Sequence, residues 1–107
     1  MMKAITLSEA MQSVSSGATL YARLIQEPSG DVGFYRPRPT DPQEPHERDE
    51  IYVVASGTGT LMCAGQSATL RTGDVIFVPR GAEHRFVNFD GDFATWVILL
   101  GPSVALQ

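Results

Sequence analysis

From Gly17 onward, no more than ten consecutive residues of this chain pass without a glycine, a proline or an aspartate. A chain punctuated that often has no room for long helices, because glycine and proline weaken or end them and a very short helix does not sustain itself. It can hold short strands joined by tight turns. The β-type runs between interruptions are 19–25, 32–36, 51–55, 60–64, 68–71, 75–78, 84–88 and 93–100. Turns fall at Ser29-Gly30-Asp31, Gly57-Thr58-Gly59, Gly65-Gln66, Thr72-Gly73-Asp74, Arg80-Gly81 and Asp90-Gly91-Asp92. About eight antiparallel strands at this spacing describe a small all-β sandwich or barrel.

Only the start of the chain keeps a helical period. Thr6 and Glu9 have the spacing of a capping box, and Leu7, Ala10, Met11 and Val14 share one helical face. One short N-terminal helix over about 7–15 is therefore expected, with the strands filling about 18–101. The 107 residues fit one domain spanning 1–107, and such a chain buries roughly two-thirds of its unfolded surface. It needs no disulfide and can form none internally, since Cys63 is its single cysteine. In Leu61-Met62-Cys63-Ala64 that cysteine reads as a small buried hydrophobe.

Partners are narrowed by charge and hydropathy. The net charge is -4 and Lys3 is the only lysine, so the clustered cations that a nucleic-acid backbone requires are not expected. No apolar run approaches the ~20 residues of a membrane-spanning helix. MMKAITLSEAMQ at the N-terminus lacks the apolar centre of a signal peptide. The expectation is a cytoplasmic protein that engages neither nucleic acid nor membrane.

Residues 37–45 (PRPTDPQEP) carry four prolines, which forbid a central ladder-paired strand there. His46 follows directly, and only one other histidine, His84, occurs in the chain. Alternate residues of a strand share a face, so His84, Phe86 and Asn88 should point together. Glu44, His46 and Glu50 have even spacing and share a face if that edge is extended throughout. Imidazole and carboxylate are donors suited to Fe, Mn, Ni, Zn or Cu.

The surrounding residues give these histidines a pattern. Residues 73–88 read G-x5-P-x-G-x2-H-x3-N, through Gly73, Pro79, Gly81, His84 and Asn88. His46, Glu50 and Gly57 read H-x3-E-x6-G. Together they resemble the two motifs of the cupin superfamily, the first of which is usually written G-x5-H-x-H-x3-4-E-x6-G. The second motif matches throughout, and the first matches from its second histidine onward. Glu44 stands in the place of the first histidine and Arg38 in that of the first glycine.

The resemblance implies a single jelly-roll (cupin) β-barrel holding one divalent transition metal ion (Fe, Mn, Zn or Ni). His46, Glu50 and His84 would be ligands, a 2-His-1-carboxylate set that leaves positions open. Glu44 would be a fourth ligand by register, or a catalytic base if it is not a ligand. Should Pro45 break the even spacing, Gln43 takes its place. The implied function is that of a metal-dependent enzyme, of dioxygenase, isomerase or lyase type, acting on a small polar molecule. The alternative is a small-molecule binding or sensing barrel without catalysis, including one whose metal site is degraded. Homodimers are common in the family, and the apolar run 93–100 with the N-terminal segment would suit such an interface.

Other residues have two readings each. Arg36 and Arg38 alternate on one face and could grip a substrate carboxylate, or could lie on a solvated edge. Tyr35 and Tyr52 could line the pocket or pack in the core, and Phe86 shares the face of His84. Trp96 is read as core or interface, and Glu47, Glu83 and Arg85 as facing outward.

Overall fold

The computed structural model describes residues 2–15, 20–38 and 45–102. Helix α1 (Leu7–Val14) precedes eight strands: β1 (Tyr21–Glu27), β2 (Gly30–Tyr35), β3 (Glu50–Ser56), β4 (Thr58–Cys63), β5 (Gln66–Arg71), β6 (Val75–Val78), β7 (His84–Val87) and β8 (Ala94–Leu100). Every strand lies within two residues of its expected limits. They form two antiparallel sheets, one of order β1-β2-β8-β3-β6 and one of order β5-β4-β7.

The capping box starts α1 as expected. Thr6 accepts from the Glu9 amide at 3.1 Å, and Glu9 accepts from the Thr6 amide at 3.0 Å. Ala10 and Val14 are buried against Phe34 and Ala94, with Met11, Leu24 and Trp96 packed around them. The helix thus covers the outer face of the larger sheet over β1 and β2, with Ala94 and Trp96 of β8 at the border of the cluster. Leu7, expected on that apolar face, lies at the first helical position and stays 44% exposed. Trp96 belongs to this cluster, edge-on to Phe34 with ring centroids 5.0 Å apart. Among the described residues, no helix is long and apolar enough to cross a membrane.

The main core lies between the sheets. Strict alternation on β3 and β7 sends Tyr52 and Val54 inward from one sheet, Phe86 from the other, and Leu61 and Leu70 complete the layer. The larger sheet supplies Val78, Val97 and Leu99. Strand β8 is central, paired with β2 on one side and β3 on the other. With both of its ladders filled, run 93–100 has no free edge, so an interface built on it would have to use a face of the sheet. Among the described residues, the edges of the larger sheet are β1 and β6.

The chain crosses between sheets at Gly57, where φ is +73°. A Cβ there would lie 2.8 Å from the Phe93 amide nitrogen, so both the conformation and the close approach require glycine. The expected turn at 57–59 shrinks to this one residue, and Thr58 and Gly59 already belong to β4.

Candidate metal centre

Glu50 is the first residue of β3 and pairs with Val78 of β6 and Leu99 of β8, so its backbone is tied on both sides. Its side chain points between the sheets and is 1% exposed. His84 opens β7 in the smaller sheet and faces it, also with 1% of its side chain exposed. His46 sits in the loop ahead of β3, where the Gly81 amide donates to its carbonyl at 2.8 Å. Its side chain is 40% exposed. Two sheets and one loop thus converge on a single point.

Glu50 Oε1 lies 2.9 Å from His84 Nε2 and 3.7 Å from His46 Nε2. The two imidazole centroids are 5.3 Å apart. One ligand atom from each of the three residues falls within 4.8 Å of the others. Among the described residues, His46, Glu50 and His84 form the group of this kind.

The tautomer of His84 follows from its neighbours. Nδ1 lies 2.9 Å from the Ala82 carbonyl, which can only accept, so Nδ1 carries the proton. Nε2 is then a lone-pair donor aimed at the site, with the Tyr52 hydroxyl 3.1 Å away and able to donate to it. An imidazole fixed by a carbonyl behind it is the usual arrangement of a metal-binding histidine.

Glu50 supplies the test of fit. Both of its carboxylate oxygens are buried with no hydrogen-bond partner. A buried carboxylate left in this way is costly. At 2.9 Å, a carboxylate oxygen and a lone-pair nitrogen need a positive charge between them. Two imidazoles and one carboxylate, without sulfur, are donors that a divalent transition ion accepts. The three residues therefore fit a metal ion.

The other candidate residues divide by position. Tyr52 and Phe86 lie beside the trio, Phe86 packing edge-on to Tyr52 with centroids 4.9 Å apart. Tyr35 is buried in the core between the sheets. Arg36 follows Tyr35, whose partner is Thr95 near the start of β8, whereas Glu50 pairs with Leu99 near its end. Four strand residues put these two ends about 14 Å apart. Arg36 donates to the Gly91 carbonyl at 2.8 Å and lines a separate cavity of about 480 Å³ with Asn88, Phe89 and Phe93. The structure does not bring it to the trio.

Asn88 also departs from expectation, because β7 ends at Val87. Asn88 turns into the left-handed region at φ 51° and is exposed, a conformation that asparagine tolerates better than most residues. Glu47, Glu83 and Arg85 are exposed as expected, and Cys63 is partly buried against the core. Glu44 and Gln43 lie outside the described residues. Two groups were not anticipated from the sequence. One is the Ala82 carbonyl, whose only signal is its place two residues before His84. The other is the pairing of Arg48 with Asp31 at 2.9 Å, between residues with no motif to connect them.

Comparison with known proteins identifies the family and the fold. Residues 34–99 match the family model of the cupin domain. An uncharacterised protein of Streptomyces coelicolor is 30% identical over 103 residues, covering 94% of this chain and 98% of its own. A Rhizobium leguminosarum protein of unknown function has a similar structure, with a TM-score of 0.68 at 18% identity over 94% of this chain and 98% of that one. A cupin superfamily protein of Desulfitobacterium hafniense has a TM-score of 0.65 at 22% identity, over 76% and 75% of the two chains. At these identities, the structural likenesses bear on fold alone.

Proposed function

The chain belongs to the cupin family, and from that premise we propose a metal-dependent enzyme, a single domain of residues 1–107 that acts on a small polar molecule inside a jelly-roll barrel spanning about 18–101. His46, Glu50 and His84 hold one divalent ion, Fe, Mn, Zn or Ni, and the reaction is of dioxygenase, isomerase or lyase type. The buried Glu50 carboxylate, without a hydrogen bond and 2.9 Å from His84 Nε2, carries this reading. When bound, such an ion supplies Lewis acidity and, for a redox-active metal, electron transfer at its open positions.

The protein's own groups do the rest. Ala82 fixes the His84 ring so that Nε2 faces inward. The Tyr52 hydroxyl, in a buried position, can hold or give a proton at Oη beside a bound substrate. Phe86 and Val54 keep that side of the space apolar, which strengthens each polar contact inside it. Glu44 is proposed as a fourth ligand or as the base, with Gln43 its substitute as ligand. The same reading places the protein in the cytoplasm as a homodimer. Support for a second copy comes from edge strand β6, whose Val75 and Phe77 are 63% and 54% exposed.

One observation favours the competing reading of a binding barrel without turnover. Among the described residues, the buried polar side chains are Asp31, Glu50, His84 and Thr95, so no acid or base near the site is free of the proposed ligand set apart from the Tyr52 hydroxyl. Elemental analysis of protein purified without chelators decides the metal question. Near-stoichiometric metal in the wild type, lost in His84→Ala with the fold retained, is the expected result. Protein that stays metal-free after incubation with each ion would overturn the metal centre and leave the binding reading in the lead.

A further inference from the structure

We propose that Arg48, clamped by buried Asp31, is the positioning residue that sets His46 and Glu50 at metal-binding distance; this rests on the metal-centre reading above. Arg48 lies between the two ligands in the sequence but points away from them. Its Nη2 donates to Asp31 Oδ2 at 2.9 Å, and its Nη1 donates to the Gly101 carbonyl at 3.1 Å. One guanidinium therefore ties the loop before β3 to the start of β2 and to the residue just past β8.

Register explains why that grip bears on the site. Asp31 pairs with Leu99, and Leu99 pairs with Glu50. The three residues form one row across β2, β8 and β3, and directly opposed side chains in a sheet share a face. Asp31 and Glu50 thus stand on the same inner face, two strand spacings or about 10 Å apart. Arg48 reaches across the end of β8 to close that distance. Both partners are enclosed, with side-chain exposures of 10% for Arg48 and 2% for Asp31.

The remaining loop contacts pull the same way. The Gly81 amide holds the His46 carbonyl, the Arg80 amide donates to the Asp49 side chain at 2.8 Å, and the Leu100 amide donates to the Asp49 carbonyl at 2.9 Å. Backbone contacts fix the two ends of the 46–49 turn, and the Arg48 side chain fixes its middle. A buried ion pair is seldom retained for stability alone, since apolar residues of similar size do as well.

The test compares Arg48→Ala, Arg48→Lys and Asp31→Asn with wild type and with Thr6→Ala, a control that weakens the distant helix. Arg23 Nε lies 3.5 Å from Asp31 Oδ2 and leaves that carboxylate a partner when Arg48 is shortened. Arg48→Lys keeps the charge, so folding is preserved while the two-armed grip is lost. Fe²⁺ (without oxygen), Zn²⁺, Ni²⁺ and Mn²⁺ are each titrated alone into metal-free protein at a temperature where every variant is folded. Arg48→Ala and Asp31→Asn should bind the ions that wild type binds about 10–100-fold more weakly, as for other outer supports of metal ligands. Arg48→Lys should fall between, and Thr6→Ala should match wild type.

A second readout needs no metal. The nuclear Overhauser contact between the rings of His46 and His84 should be present in wild type and Thr6→Ala, and absent in Arg48→Ala. Unchanged affinity with an intact ring contact in Arg48→Ala would overturn the proposal. If wild type takes up none of the ions, the metal centre itself fails, and the ring contact alone decides whether Arg48 positions the loop.

Discussion

Glu50 is the residue at which stability and function pull apart. Its two oxygens lack hydrogen bonds in a nearly closed space, and a buried polar group left unpaired costs about 1–3 kcal/mol. Glu50→Leu, similar in size and apolar, should remove that cost. Metal-free Glu50→Leu is expected to be more stable than metal-free wild type by about 1–3 kcal/mol in denaturant unfolding, while retaining no metal. A metal-free variant less stable than wild type would mean that the histidines satisfy Glu50 without an ion. The trio itself was legible in the sequence because its members sit at fixed offsets from Gly57, Gly73, Pro79 and Gly81. The Asp31–Arg48 pair was not, because only the order of strands brings β2 beside β8 and places Asp31 in the row of Glu50.

Among the elements, α1 is the piece whose local chemistry is most self-contained. Thr6→Ala removes the acceptor for the Glu9 amide, and loss of such a cap costs about 1 kcal/mol. Since α1 covers Phe34 and Trp96 on the outer face, that loss should appear in global unfolding and leave metal content unchanged. Hydrogen bonds from Thr6 hold the Glu9 carboxyl below its ordinary value of 4.5. The stability this gives is complete above that value and disappears as the pH falls through the lowered one. Thr6→Ala should accordingly flatten part of the acid limb of stability, which unfolding at several pH values below 5 would show. The strands were readable from their turns, since glycine and aspartate mark chain reversals whatever the tertiary context. Residues 57–59 and Asn88 were not, because the close approach of Phe93 at Gly57 and the end of β7 at Val87 are tertiary facts. The distance of Arg36 from the trio was not readable for a related reason. A face can be read from alternation, but the end of the sandwich at which it emerges depends on which strands are neighbours.

For the whole molecule, strand order decides which surfaces remain available. β8 is enclosed by β2 and β3, while among the described residues β6 is an edge strand, with Val75 and Phe77 exposed. Two-fold pairing of such a surface is the common form of a homodimer. Sedimentation of wild type should give a dimer, and Phe77→Lys should give a folded monomer; a monomeric wild type would end the dimer expectation. The sandwich also surrounds its three candidate ligands unequally, since the side chains of Glu50 and His84 are each 1% exposed and that of His46 is 40% exposed. For any ion held there, this inequality bears on kinetics. Two ligands sit behind the sheets, where a competing chelator has no approach, and the third stands at the threshold. His46 would be the ligand that solvent and a competing chelator reach first, so the lifetime of the loaded protein would depend on how firmly that one ring is held.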